Sequence, residues 1–148
     1  MEEFKRIMVP VDGSSQSNMA FDKALGLAKL IDGSITVVNV IENIKPVLGG
    51  APMDEKAEEI EAKDLLDEYK KRGDESSVKV NEVIRKGEPA REIIKMSDDF
   101  DLIIIGSFGI GKIASLVLGS TAEEVTHKAC CPVMVIRKST SECGKGKK

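Results

Sequence analysis

Glycines and hydroxyl residues in the C-terminal half of the chain have a spacing that suits phosphate binding. Gly106, Gly109, Gly119 and Ser120 form the pattern GxxG, nine residues and then GS, directly after an apolar run. Glycines at this point let the backbone turn sharply and bring N–H groups close to a ligand, and a helix N-terminus favours negative charge. We predict that Gly106 and Gly109 line the sugar and phosphates of a nucleotide, while Gly119, Ser120 and Thr121 present N–H and hydroxyl groups to phosphate oxygens. The alternative is a turn that needs glycine for geometry alone.

The same stretch overlaps a second phosphate-binding pattern. Residues 106–113 read GSFGIGKI, which matches a Walker A loop except that Ile113 stands where a Ser or Thr would ligate Mg²⁺. A Walker loop also normally follows the first strand of its domain rather than the fourth. Lys112 could meet a phosphate as a point charge, although an exposed lysine without a ligand is the ordinary expectation.

Two further candidates lie near the ends of the first two predicted strands. Asp12 is either a turn residue that satisfies nearby backbone N–H groups or a ligand for a base or ribose, and its position at a strand carboxyl end favours the ligand. The backbone of Val40 is placed where a planar base could pair with its N–H and C=O groups.

A histidine and two cysteines form the pattern HxxCC at His127, Cys130 and Cys131. A fourth ligand with suitable spacing for zinc is absent, so no metal is predicted there. We expect the histidine to cap or pack near the C-terminus of the fourth helix, and the cysteines to act as small apolar residues that lead into the fifth strand. No nucleophile–base pair can be argued around the single histidine, and no catalytic residue is predicted.

Five apolar runs alternate with four helical patterns along the chain. The predicted strands are residues 6–11, 35–40, 78–85, 102–105 and 133–137. Most of the runs are continuous and β-branched, as in strands covered on both faces, whereas the third alternates and is expected at an edge. Right-handed crossovers then predict a five-stranded parallel sheet of order 3-2-1-4-5 with helices on both faces, and a ligand crevice between strands 1 and 4.

Local start and stop signals predict the helix boundaries. The predicted helices are residues 17–31, about 54–72, a short helix opening at Pro89, and one starting at Ser120. Gly73 is expected to end the second helix. Ser120 is expected to be an N-cap, with Glu123 completing a capping box.

Composition limits the possible partners. The chain has 148 residues, which suit one domain, and 25 acidic against 22 basic residues give a net charge of −3. Nucleic acid is therefore not an expected partner, and no apolar run is long enough to cross a membrane. Three cysteines form no disulfide framework, which fits the cytoplasm. We expect a domain at residues 1–138, a disordered tail at 139–148, and a mobile lid at 44–53.

The chain resembles the universal stress protein family, whose fold is Rossmann-like and adenine nucleotide alpha hydrolase-like. The resemblance covers nearly the whole chain and is carried by its strand and loop motifs. These are IMVPVDGS at residues 7–14, GEPA at 87–90, GS at 106–107, GST at 119–121 and CPV at 131–133. The intact glycine pattern implies the ATP-binding branch of the family.

The resemblance also implies residue roles. Pro10, Val11, Asp12 and Val40 would surround adenine and ribose, while residues 106–112, with Ser107 and Lys112, and residues 119–121 would hold the phosphates. Phe108 departs from the family pattern, where many members have a polar or basic side chain. Mg²⁺ or Mn²⁺ would arrive on the phosphates. Homodimers would form through the last strand, residues 133–137, and an uncovered apolar edge strand favours pairing on physical grounds too.

Together these observations predict a cytoplasmic, dimeric, ATP-binding protein with a regulatory or stress-response role and an unknown protein partner. Hydrolysis of ATP is expected to be slow or partner-dependent, because only a phosphate cradle is visible. One alternative is a Walker-type ATPase or kinase that uses Lys112. Another is a dimeric interaction module that binds no nucleotide.

Overall fold

The computed structural model describes residues 4–42, 54–108 and 118–137 and shows a sheet covered by helices on both faces. Its strands are β1 (Arg6–Pro10), β2 (Ser34–Ile41), β3 (Val80–Lys86), β4 (Leu102–Gly106) and β5 (Val133–Ile136). Its helices are α1 (Ser15–Ile31), α2 (Glu55–Glu75), α3 (Pro89–Met96) and α4 (Ser120–Lys128), with a 3₁₀ turn at Ser97–Asp99. None of the described helices is long and apolar enough to cross a bilayer.

The sheet has the predicted architecture. Its five strands are ordered β3-β2-β1-β4-β5, and all neighbouring pairs are parallel. The alternating third strand lies at an edge, as predicted. Because β1 pairs with both β2 and β4, the winding direction of the chain reverses between β1 and β4.

Alternate residues of each central strand contribute to two separate cores. In β1, Ile7 and Val9 pack with α1 and α2, whereas Met8 faces α3 and α4. In β4, Ile104 likewise packs on the side of α1 and α2, and Ile103 packs on the side of α3 and α4. A strand with apolar neighbours on both faces must be apolar at every position, which explains the continuous β-branched runs.

The first two helices differ from their predicted boundaries. Helix α1 begins at Ser15 rather than at residue 17, and its N-cap is Ser14, whose side chain accepts the Ser17 N–H at 3.1 Å. Helix α2 does not end at Gly73 but continues to Glu75. A Cβ atom at position 73 would lie 2.2 Å from Val80 Cγ2, so this glycine allows α2 to pack closely against β3. The glycine that resembles a stop signal is required by tertiary packing instead.

Gly26 and Gly73, the two glycines inside the described helices, provide a test of this explanation. A Gly73→Ala substitution should destabilise the fold by about 1–3 kcal/mol, because the new methyl group overlaps buried atoms of β3. At Gly26 in α1 a new methyl group would have no atom within 4 Å, so Gly26→Ala should stabilise by about 0.5–1 kcal/mol through helix propensity. Urea denaturation of the two variants measures both changes, and a stabilising Gly73→Ala would contradict the packing argument.

Candidate functional site

A cavity opens at the carboxyl ends of β1 and β4, where the winding reverses. The helix after β1 packs on one face of the sheet and the helix after β4 packs on the other, so the two connections diverge and leave a crevice. The cavity has a volume of about 400 Å³, which falls in the range of small-molecule sites.

The structure brings most of the predicted binding residues together around this cavity. The lining includes Pro10, Val11, Asp12, Val40, Gly106, Ser107, Gly119, Ser120 and Thr121. Gly109 and Lys112 lie outside the described residues, as do the predicted lid at 44–53 and the predicted tail at 139–148. Asp12 and the turn at Gly119, more than a hundred residues apart in sequence, thus face one space. Whether these residues bind a ligand stays a prediction.

The Asp12 side chain stabilises the turn that follows β1. Its Oδ1 accepts the N–H of Ser14 at 3.0 Å, and Gly13 between them adopts a left-handed φ of 84°. Only glycine takes that conformation at low cost. The carboxylate therefore helps to shape the lip of the cavity, and its exposed side chain also lines the cavity.

The opposite lip joins the end of β4 to the start of α4. The Gly119 N–H donates to the carbonyl oxygen of Ser107 at 2.7 Å. Gly119, not Ser120, is the N-cap of α4, and no side chain caps this helix. The predicted capping box with Glu123 is therefore wrong. Because Ser120 is the first residue inside the helix, its hydroxyl is not committed to a cap.

The cavity lining includes residues that the sequence did not single out for binding. The Asn39 side chain donates to the Val11 carbonyl oxygen at 2.8 Å and so ties the end of β2 to the turn after β1. Pro89 and Ile93 reach the cavity from the first turns of α3. The position of α3 at the cavity could have been predicted from the sequence, because in a parallel sheet every helix that follows a strand begins at the same edge of the sheet.

The charged groups of the described lining are acidic. Asp12 and Glu42 contribute carboxylates, and no lysine or arginine occurs among the described lining residues. The positive end of the α4 dipole, at Gly119 and Ser120, is a feature of this lining that would attract an anion. Phe108 also lines the cavity and gives that wall an apolar side chain.

The HxxCC pattern lies away from the cavity, at the end of α4 and the start of β5. Cys130 is exposed, and the Cys130 N–H donates to Ser97 Oγ at 2.8 Å. Burial raises the pKa of the Cys131 thiol, with a smaller contribution from Cys130, so Cys131 is protonated at neutral pH. A protonated thiol is a poor nucleophile and metal ligand. Within the described ranges, no group of three or more His, Cys, Asp or Glu side chains could hold a metal ion.

The fold and the cavity define a doubly wound α/β protein with a crevice at the point of strand reversal. The model of the Universal stress protein family matches residues 3–137, and the chain belongs to this family. A universal stress protein of Methanocaldococcus jannaschii is 33% identical over 147 residues, covering 94% of this chain and 85% of that protein.

Solved structures of family members have the same fold. The chain is similar to UspA from Lactobacillus plantarum, with a TM-score of 0.78 and 25% identity, over 93% of this chain and 100% of that chain. It is also similar to the universal stress protein of Archaeoglobus fulgidus in complex with dAMP, with a TM-score of 0.68 and 26% identity. That match covers 92% of this chain and 100% of the other. A structural relative thus binds an adenine nucleotide.

Two serines at helix starts on the cavity rim should respond differently to substitution. Ser14→Ala removes the side-chain cap of α1 and should cost about 1 kcal/mol of stability without ligand. Ser120→Ala removes no cap and should change stability by less than about 0.5 kcal/mol. Urea denaturation of the nucleotide-free variants measures both changes in the free energy of unfolding. A loss of about 1 kcal/mol in each variant would show that the Ser120 side chain caps α4 and would contradict this prediction.

Proposed function

We propose that this protein binds an adenine nucleotide, ATP in particular, in the crevice between β1 and β4 and acts as a regulatory or stress-response protein in the cytoplasm. The observation that carries the proposal is the convergence of the β1 turn, the β2 end and the α4 N-terminus on one cavity of nucleotide size. The dAMP complex of the Archaeoglobus fulgidus relative supports the choice of adenine. Family membership supports a role in stress response.

The base and ribose would lie at the β1 and β2 side of the cavity. The pairing of β1 with β2 ends at Pro10↔Val38, so Val40 lies two residues beyond the last pair. In a parallel ladder, alternate residues direct their backbone groups to the same side, and Val38 O accepts the Val11 N–H. The backbone groups of Val40 are therefore directed to the space beyond the end of β1, where an adenine edge would pair with them. Pro10 and Val11 supply apolar contacts.

The phosphates would lie at the α4 side. Gly119, Ser120 and Thr121 surround the N-terminus of α4. The Gly119 N–H is bonded to the Ser107 carbonyl oxygen, so the N–H groups of the first helical turn, from Ser120 onward, and the helix dipole would favour an anion. Asp12 and Glu42 would oppose an uncompensated polyphosphate, so we propose that ATP enters with Mg²⁺ or Mn²⁺ on its phosphates. The same acidic groups could contact that metal or the ribose hydroxyls.

Turnover of ATP is expected to be slow or dependent on a partner protein. Rapid phosphoryl transfer needs charge stabilisation at the γ-phosphate and a group that orients the nucleophile. The described lining supplies a helix N-terminus and hydroxyls, which suit binding more than transfer. A Lys112→Ala variant that retains binding and the same slow turnover would favour this regulatory role over a Walker-type enzyme.

Nucleotide binding should stabilise the protein measurably. ATP with Mg²⁺ at about one hundred times its Kd should add roughly 2.7 kcal/mol to the free energy of unfolding. Thermal unfolding with ATP, AMP and GTP, followed by calorimetric titration, measures affinity and base preference. No shift with any adenine nucleotide at millimolar concentration would refute the proposal, and equal affinity for GTP would refute the base assignment.

A charge placed at the α4 N-terminus should separate binding from folding. Thr121→Glu should preserve stability, because an acidic residue in the first helical turn interacts well with the dipole. It should weaken ATP binding by about tenfold or more, because the carboxylate occupies the proposed phosphate position. Ala57→Glu, in the first turn of α2 and outside the cavity, makes the same charge change and should leave ATP affinity unaltered.

We also propose that the protein forms homodimers through β5. This strand lies at an edge of the sheet, and Met134 within it is 42% exposed. A Met134→Lys substitution should yield monomers, because a lysine on an edge strand opposes pairing. Leu30→Lys alters an equally apolar exposed residue on α1 and should leave the mass unchanged. Light scattering after gel filtration measures both, and a monomeric parent protein would contradict the proposal.

A further inference from the structure

We infer that Gln16, the single glutamine of the chain, is a positioning residue for the phosphate end of the cavity. The inference rests on the proposed function, because it concerns how the same crevice holds phosphate. Gln16 does not itself line the cavity. It acts through Ser107, which does.

Ser107 joins three segments of the chain through three different groups. Its N–H donates to the carbonyl oxygen of Ile136 on β5 at 3.0 Å, and its own carbonyl oxygen accepts the Gly119 N–H at 2.7 Å. Its Oγ donates to Oε1 of Gln16 at 3.0 Å, in a bond that is buried. The position of Ser107 therefore sets where α4 begins relative to the end of β4.

Gln16 holds this junction from the first turn of α1. The residue is 8% exposed and Ser107 is 3% exposed, so their hydrogen bond is shielded from water. The backbone of Gln16 also packs against the end of β4, because a Cβ atom at Gly106 would lie 2.9 Å from its carbonyl carbon. Contacts of both the backbone and the side chain thus fix α1 to the β4 end.

Loss of the glutamine acceptor would leave the Ser107 hydroxyl buried without this partner. A buried hydroxyl that loses its partner either carries a desolvation cost or moves toward water. Movement of Ser107 would carry its carbonyl oxygen with it and weaken the bond to Gly119. The N-terminus of α4 would then be less well placed for phosphate, while the adenine side, built from β1 and β2, would change little.

The test compares ATP with adenosine, which lacks the phosphates. Gln16→Met keeps the length of the side chain and removes its acceptor. It should weaken ATP binding by about five- to tenfold, and adenosine binding should stay within about twofold, as the lost interaction is one hydrogen bond remote from the base. Gln16→Asn, whose amide is one methylene shorter, should show the same split if the methionine variant folds poorly.

A double-mutant cycle identifies the route through Ser107. If Gln16 acts through this hydroxyl, Gln16→Met and Ser107→Ala should each lower the affinity for ATP. The double variant should then bind ATP as tightly as the single variant that has the lower affinity. Exchange of the Gly119 amide hydrogen should accelerate in Gln16→Met. Ser97→Ala removes a buried hydroxyl at the opposite end of the sheet and should change neither ATP affinity nor Gly119 exchange.

The outcomes separate this inference from the proposed function. A parent protein that binds neither ATP nor adenosine would overturn both. A parent that binds ATP, with a Gln16→Met variant that binds it equally well, would overturn the role of Gln16 alone. Equal losses for ATP and adenosine, or strictly additive effects in the cycle, would likewise reduce Gln16 to a general contributor to stability.

Discussion

The pairing of β1 with β4 is the constraint on which the site depends. Only two residue pairs define it, Ile7↔Leu102 and Met8↔Ile103, yet it joins parts of the chain about ninety-five residues apart. Because these strands are neighbours while their following helices pack on opposite faces, their carboxyl ends must leave a crevice between them. The cavity is thus a consequence of strand order.

The crevice combines two kinds of surface that suit different parts of one ligand. The β1 and β2 side offers apolar residues and the strand backbone around Val40, whereas the α4 side offers N–H groups and a helix dipole. The carboxylates of Asp12 and Glu42 favour cationic or hydroxyl-bearing groups over bare anions. The proposed metal-bound nucleotide would suit both surfaces and the two carboxylates, because it presents an aromatic base, ribose hydroxyls and phosphates whose charge is partly neutralised.

Strand order and most of the candidate site could be predicted from the sequence, because continuous apolar runs and their following glycines are local signals of a buried parallel sheet. Helix boundaries are predicted less well where tertiary contacts override local preference. Position 73 holds a glycine because β3 packs too closely against α2 to leave room for a side chain, and the helix continues past it. The N-cap of α4 is Gly119 rather than Ser120. The bond between Gln16 and Ser107 spans 91 positions and has no local signal at all.

Two glycines of the motif, Gly106 and Gly119, have reasons in the fold that are independent of any ligand. A Cβ atom at Gly106 would meet the backbone of Gln16, and one at Gly119 would lie 2.9 Å from the Ser107 carbonyl oxygen. The structural and the binding interpretations of the motif are compatible. Close approach to Ser107 requires glycine at position 119 and occupies the Gly119 N–H, while the N–H groups of the next residues of α4 lie beside the cavity. It follows that glycine spacing by itself does not distinguish a family member that binds a nucleotide from one that does not. The proposal of binding rests instead on the open cavity, the uncapped start of α4 and the apolar strand ends beside it.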